Sequence, residues 1–399
     1  MTAPRALEWV GVNDAYGTPI VAVIGDGQLA RMMHTEAIEL GLAPRVLAGS
    51  REASAAQVFG DVRLGDYHNL ADLEATAADA TAVTFDHEHV PNEHLHSLID
   101  AGVAVEPRPE ALIYAQDKLE QRTRLRELGL PVPPFAAITS VDDASRFFDE
   151  VDGQVCLKAT RGGYDGHGVW FPETREELAE QVATILAQDV GLYAEAKVAF
   201  VRELSAMVAR NRSGQVEAWP VVESRQDGGI CRVAISPAPE LSDERARYCR
   251  DLAIRIAEEL DVTGVLAVEL FETADGVLVN ELAMRPHNTG HWTQDGCVTS
   301  QFEQHLRAVL DWPLGSTAPT APVTVMVNTL GGDADPETPM AERVADVMRK
   351  YPEAKIHLYG KSYRPGRKMG HVNVAADSFE RALEVAEDAA HYIINAEWK

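Results

Sequence analysis

Two glutamates, Glu269 and Glu281, lie in β-rich runs at 265–271 and 277–282 that are joined through Ala274-Asp275-Gly276. A three-residue turn with Gly276 in the left-handed conformation sets the two carboxylates opposite each other on one face. A two-residue Asp-Gly turn sets them on opposite faces. Facing carboxylates repel unless a cation lies between them, and two carboxylates completed by phosphate oxygens are a donor set that Mg²⁺ favours. The alternative is two solvent-facing glutamates on an exposed sheet. After Glu281 the chain reads Leu282-Ala283-Met284-Arg285-Pro286-His287-Asn288-Thr289-Gly290-His291-Trp292-Thr293. Arg285 can hold a carboxylate or phosphate bidentately, and His287 can exchange a proton near neutral pH. Upstream, Lys158 ends a strand run ahead of Gly162-Gly163-Tyr164-Asp165-Gly166-His167-Gly168, four glycines in seven residues. Such a loop lets the backbone approach phosphates closely, with Lys158 adding a point charge; otherwise it is a flexible hairpin tip. It is not a Walker loop, because no Gly-Lys-Ser/Thr follows. Gly25-Asp26-Gly27-Gln28 follows the first strand run and reads either as an anion cradle or as a tight turn. Ala30 stands where a dinucleotide fingerprint needs its third glycine.

These groups work against a strongly acidic background. The 399 residues hold 36 Lys+Arg and 62 Asp+Glu, a net charge of -26. That balance excludes nucleic acid and anionic membrane as partners, since both require a basic surface. An anionic small substrate must then meet a local cluster of cations. Four of the scarce cations, Lys361, Arg364, Arg367 and Lys368, fall within eight residues, ahead of Gly370-His371. Tyr363 and Pro365 among them predict an ordered loop rather than a solvated tail. No apolar run approaches the ~18 residues of a membrane span. The opening Met1-Thr2-Ala3-Pro4-Arg5 lacks the pattern of a signal peptide. The four cysteines are far apart and form no CxxC pair, which predicts a reduced cytoplasmic enzyme.

The elements that must position these residues fall into three stretches, after a polar tail over 1–19. From 20 to 114, short strand runs (20–24, 44–48, 82–85, 103–105) alternate with helical patterns (28–40, 91–100), which predicts a parallel α/β sheet with crossover helices. One helix is predicted over 109–128, closed by Gly129-Leu130-Pro131. From 115 to 315, longer strands at 155–158, 168–171, 192–195, 201–210, 216–222, 230–236, 264–271 and 277–282, interrupted by helices near 174–187, 242–260 and 299–311, predict an α+β domain. A smaller C-terminal domain over 316–399 holds strands at 322–328, 355–359 and 370–374 and a helix near 378–393.

In this order the motifs resemble those of the ATP-grasp enzymes, and among them the carboxylating branch that acts on aminoimidazole ribonucleotide in purine synthesis. The resemblance rests on Gly27-Gln28-Leu29 with Arg31-Met32, the glycine loop at 162–166, Asn280-Glu281-Leu282-Ala283, Arg285 with His287-Asn288, Gly290-His291-Trp292-Thr293, and Arg364-Pro365-Gly366-Arg367-Lys368. It implies a pre-ATP-grasp domain, an ATP-grasp domain whose glycine-loop lid (about 150–200) closes over ATP, and the C-terminal domain. It also implies that Lys118, Lys158 and the loop residues Gly163, Tyr164, Asp165, Gly166, His167 and Gly168 meet the phosphates. Glu195, Ala196, Lys197 and Val198 are expected around adenine, Glu203 at the ribose, and Asn280 beside the Mg²⁺ ligands Glu269 and Glu281, with Mn²⁺ as the alternative metal. Gln28, Tyr164, Asp165, Arg285, His287, Asn288, Lys361, Arg364, Arg367 and Lys368 are expected around the ribonucleotide and the carboxylate donor. The groups implied in catalysis are Lys158, Arg285, His287 and Asp165, the last two being alternatives for moving the amine proton. The chain departs from the family at Ala30, at Asp86-His87-Glu88 in place of Glu-x-Glu, and at Arg225 in place of a histidine. The implied reaction joins ATP, bicarbonate and aminoimidazole ribonucleotide through carboxyphosphate, in a homodimer. The rivals are a sibling such as formate-dependent glycinamide ribonucleotide transformylase, or a regulatory module that binds nucleotide without turnover.

Overall fold

The computed structural model describes residues 17–162 and 168–399, so Gly163, Tyr164, Asp165, Gly166, His167 and most of the 1–19 tail lie outside the described residues. The chain divides into two compact units, Met1–Glu106 and Pro107–Lys399.

In the first unit the elements are β1 (Ile20–Ile24), α1 (Gln28–Glu39), β2 (Ala43–Ala48), β3 (Asp61–Leu64), α2 (Leu70–Ala77), β4 (Ala82–Phe85) and α3 (Asn92–Asp100). They form a parallel sheet of order β3-β2-β1-β4. β1 and β4 are buried along their whole length, as parallel strands covered on both faces must be. The predicted run at 103–105 contributes only a bridge, Val83 to Val105. The turn between β1 and α1 holds a carboxylate of the chain's own: Gly27 N donates to Asp86 Oδ2 at 2.5 Å. Gly25 has φ +109°, and a Cβ there would sit 1.8 Å from Asp86 Oδ1. These glycines are therefore required by Asp86, and Ala30, fully buried in α1, does not disturb the turn.

In the second unit, α4 (Pro109–Gln116) and α5 (Lys118–Glu127) replace the single helix expected over 109–128. Asp117 breaks it: its backbone is extended and its side chain accepts from Leu119 N and Glu120 N, capping α5. A four-stranded antiparallel sheet follows, of order β5-β8-β6-β7 (Phe135–Ile138, Leu192–Ala196, Val155–Ala159, Val169–Trp170). It is covered by α6 (Val141–Glu150) and α7 (Arg175–Leu186), which close on a core of Ile138, Phe147, Leu157, Leu178 and Val182.

A nine-stranded sheet carries the rest. In chain order it contains β9 (Arg202–Arg210), β10 (Val216–Ala218), β11 (Val222–Asp227), β12 (Ile230–Ser236), β13 (Gly264–Glu272), β14 (Val277–Ala283), β15 (Val323–Leu330), β16 (Lys355–Leu358) and β17 (Lys368–Ala376). The run expected as one strand over 216–222 is two, parted at Trp219-Pro220. Spatially the order is β14-β13-β9-β11-β12-β15-β17-β16, with β10 beside β9. The remaining α-helices of this unit are α8 (Asp243–Glu259), α9 (Thr293–Gly296), α10 (Gln301–Val309), α11 (Met340–Lys350) and α12 (Phe379–Asn395). The C-terminal strands thus continue the central sheet, and α11 and α12 pack over them on Val325, Val347, Val374, Val385 and Ile393.

Candidate active site

The β13–β14 hairpin sets the two glutamates opposite each other, but not through the expected turn. Glu272 pairs with Val277, so the loop is the four residues 273–276. Gly276 has no left-handed φ; Thr273 N donates to its carbonyl and its own N–H donates to Thr273 Oγ1. That register alone would pair Glu269 with residue 280. A bulge intervenes: Leu270 pairs with Val279 and Glu269 with Glu281, leaving Asn280 as the extra residue. Parity is restored, and Glu269 and Glu281 share a face with Ser205. Glu203, opposite Phe271 and Ser224, continues the same face.

The charges on this face are unequal. Glu281 pairs with Lys118 Nζ, the first residue of α5, whose place is set by the Asp117 cap and by Lys118 N donating to Thr160 O at 2.8 Å. Burial would raise the Glu281 carboxyl, but Lys118 overrides it and holds the group ionised. Glu269 goes the other way: burial, then the charge of Glu281, push it well up. Two opposed carboxylates, one of them short of counter-charge, fit a divalent cation held by hard oxygen ligands. Among the described residues no group of three or more His, Cys, Asp or Glu is placed to hold a metal, so a cation on this pair would need oxygen ligands beyond these two carboxylates.

Glu203 is pushed up to about 7 by burial. A carboxyl that holds its proton more tightly folded than unfolded costs stability as pH rises from its ordinary 4.5 towards 7, and the full cost persists above that range. Glu203→Gln removes this cost. The variant gains melting temperature over the parent at pH 8 but not at pH 4; equal differences at the two pH values refute the assignment.

Lys158, on β6, pairs with Glu195 on β8. The other Glu195 oxygen accepts from Arg122 Nε at 3.0 Å. Arg122 is 1% exposed; its Nη1 donates to Gln121 Oε1 and its Nη2 to Asn280 O, the carbonyl of the bulged residue. One guanidinium thus joins the β8 glutamate to the hairpin carrying Glu269 and Glu281. Sequence reading missed it, because six of the ten α5 residues are charged, a pattern that reads as a solvated helix. Its position one turn after Lys118 was the available signal. The Asp117 break was legible as Asp117-Lys118-Leu119-Glu120, a capping-box spacing.

Beyond β14, Arg285 Nη1 donates to Pro286 O. His287 Nε2 lies 3.3 Å from Glu269 Oε1, and its Nδ1 meets Thr289 Oγ1 at 2.9 Å. Burial, then the charges of Arg285 and Lys368, push His287 down to about 3. The ring is therefore neutral, unlike the near-neutral titration expected from sequence. Asn288 Nδ2 is buried with no hydrogen-bond partner among the described residues. Lys361 Nζ lies 5.6 Å from the Tyr359 ring. Arg364 and Arg367 shape an ordered loop: Gly331 N donates to Arg367 O, Gly366 N to Gly331 O, and Arg367 Nη1 to Ser362 Oγ at 2.9 Å. Val198 is half-buried and Lys197 exposed. The N–H groups of Ala196 and Lys197 donate to Pro134 O and Gln154 O. Gly168, at φ +74°, resumes the described chain after the glycine loop. Gln28 opens α1 in the other unit.

The N5-carboxyaminoimidazole ribonucleotide synthase of Corynebacterium ammoniagenes is 56% identical over 387 residues, covering 96% of this chain and 94% of that protein. The chain belongs to the N5-carboxyaminoimidazole ribonucleotide synthases. The family's ribonucleotide synthetase pre-ATP-grasp model matches residues 19–116, the ATP-grasp domain model 123–302, and the phosphoribosylaminoimidazole carboxylase C-terminal domain model 324–385. The synthase of Mycobacterium tuberculosis is 50% identical over 381 residues, covering 95% of this chain and 89% of that protein. Among solved synthases, that of Thermus thermophilus superposes with a TM-score of 0.84 at 37% identity, covering 95% of this chain and all of that one. The Aspergillus clavatus synthase, solved with ADP and 5-aminoimidazole ribonucleotide, gives 0.85 at 29% identity, over 94% and 98% of the two chains. Synthases of this family are ATP-grasp ligases, and a parallel sheet followed by helix-covered antiparallel sheets is their fold. No helix among the described residues is long and apolar enough to cross a membrane.

Proposed function

We propose that this chain carboxylates 5-aminoimidazole ribonucleotide with ATP and bicarbonate, giving N5-carboxyaminoimidazole ribonucleotide, ADP and phosphate. The observation that carries the reading is the facing pair Glu269 and Glu281, ringed by Lys118, Arg285, His287 and the charge of Lys368. A bicarbonate oxygen attacks the γ-phosphorus, the bond to the β-phosphate oxygen breaks, and carboxyphosphate and ADP form. The exocyclic amine then attacks the carbon of carboxyphosphate, or CO₂ released from it. The C–N bond forms, the phosphate leaves with the electron pair, and the amine loses a proton.

Mg²⁺ held by Glu269 and Glu281 supplies charge neutralisation on the phosphate oxygens when bound. The chain's own residues do the rest. Lys118 and Lys158, each now paired with a glutamate, are the cations available to the triphosphate. Arg285 holds the carboxylate of carboxyphosphate. His287, neutral and with Nδ1 engaged by Thr289, presents Nε2 towards Glu269 and acts as a hydrogen-bond donor; Asp165 is left as the group to take the amine proton. Asn288 Nδ2 donates to a substrate oxygen, which relieves a buried unsatisfied donor costing about 1–3 kcal/mol. Arg364, Arg367 and Lys368 hold the ribose 5-phosphate, which resolves how a chain of net charge -26 retains three anionic substrates. Water must be excluded because carboxyphosphate hydrolyses readily.

The test is ADP release with Mg²⁺, ATP and bicarbonate, with and without aminoimidazole ribonucleotide. Strong stimulation, with one phosphate per ADP and an acid-labile carboxylated product, is the expected result; turnover that ignores the ribonucleotide overturns the reading. The double variant Arg364→Ala/Arg367→Ala raises KM for the ribonucleotide more than tenfold, at roughly 1.4 kcal/mol per decade, and leaves KM for ATP within about twofold. Equal changes in both remove the phosphate-site assignment.

A further inference from the structure

Gln301, the first residue of α10, is fully buried and closes on both ends of the loop 287–293. Its Oε1 accepts from His287 N at 2.7 Å, and its Nε2 donates to His287 O at 2.8 Å. Nε2 also lies 3.0 Å from His291 Nδ1. At the far end, Gln301 N donates to Thr293 Oγ1 at 2.9 Å, and that hydroxyl donates to Gly290 O at 2.6 Å. Gly290 makes room for the amide: a Cβ there would meet Gln301 Oε1 at 2.5 Å.

The chemistry of these partners fixes the hydrogens. A backbone N–H only donates and a carbonyl only accepts, so the Gln301 amide has one orientation. Its second N–H can meet only a lone pair, so His291 Nδ1 accepts and His291 carries its proton on Nε2. His287 is held by both polar groups of its own peptide, while Thr289 N donates to its Nδ1 at 3.4 Å. That leaves the proton on Nε2, the edge facing Glu269.

We propose that Gln301 is a positioning residue for the carboxylation step: by clamping the His287 peptide it aims the Nε2–H edge of that ring at the Glu269 side of the site. This rests on the function proposed above. Gln301 touches no reacting atom and acts through His287.

The experiment compares Gln301→Met, Gln301→Glu, His287→Gln and the double variant Gln301→Met/His287→Gln with the parent. Expected for Gln301→Met is a loss of about tenfold or more in ribonucleotide-stimulated kcat, with KM for ATP within about twofold. The same substitution on the His287→Gln background costs little further, because its target is already gone. Gln301→Glu keeps the acceptor but donates to His287 O only when protonated, so its kcat rises towards acid pH where the parent's does not. Equal fractional losses on the parent and His287→Gln backgrounds, or a kcat within twofold of the parent in both single variants, overturn the proposal. A readout independent of substrate separates its failure from that of the proposed function. In ¹⁵N-histidine spectra, Gln301→Met moves the His287 and His291 ring signals and leaves the other histidines in place. Unmoved His287 signals overturn the positioning role whatever the substrate proves to be.

Discussion

Glu281→Gln lowers ADP release in the complete reaction by on the order of a thousandfold, while the melting temperature stays within a few degrees of the parent's. The amide keeps the side chain's shape but withdraws one of the two opposed carboxylates and the counter-charge of Lys118. Metal-assisted charge neutralisation contributes several kcal/mol to such a transfer, and each 1.36 kcal/mol is a decade in rate. The amide also lifts the charge repulsion that Glu281 exerts on the buried Glu269, which offsets the lost pairing with Lys118. Turnover within tenfold of the parent refutes the proposed metal role of Glu281.

Arg122→Ala is expected to act on stability first, by about 3–5 kcal/mol, the usual cost of removing one partner of a buried ion pair. Glu195, 3% exposed, keeps only Lys158, and the Asn280 carbonyl loses its donor. Replacing both groups together, as Arg122→Met with Glu195→Leu, restores part of the urea midpoint because the Arg122–Glu195 pair is removed whole, while Lys158, 13% exposed, gives up its partner. It does not restore ATP affinity, since Lys158 then lacks the carboxylate that places it. An unchanged midpoint in Arg122→Ala refutes the structural role; full ATP affinity in the double variant refutes the link to the site.

The sequence made the charged residues of the candidate site visible where residue type and spacing coincide. Glu269 and Glu281 were legible as a facing pair, although the loop between them differs from the expected turn: one extra loop residue and a one-residue bulge cancel. A bulge leaves no mark when the extra residue is an ordinary Asn, and no periodicity separates the two routes. The first strand, the α8 helix and the α12 helix follow from apolar runs and from the Ser242 and Ser378 caps. The split at Asp117 carries no Gly or Pro, and its only mark in the sequence is the Asp117-to-Glu120 capping spacing. Gln301 and Arg122 were harder to read for a shared reason: a buried polar side chain takes its meaning from partners outside its own helix, His287 and His291 for one, Glu195 and Asn280 for the other.

The pairing of β12 with β15, through Val233 with Val327 and Ile235 with Val325, has a consequence for dissecting the chain. The regions matched as ATP-grasp and as C-terminal domain meet along a continuous ladder of main-chain hydrogen bonds rather than across a side-chain interface. Cutting between them, near 315, would not release a self-contained cassette. It would turn β12 into an edge strand with unpaired amides beside bare Val233 and Ile235, a template for association with another copy. The C-terminal region therefore serves as the permanent cover of a sheet edge as well as the carrier of a basic loop.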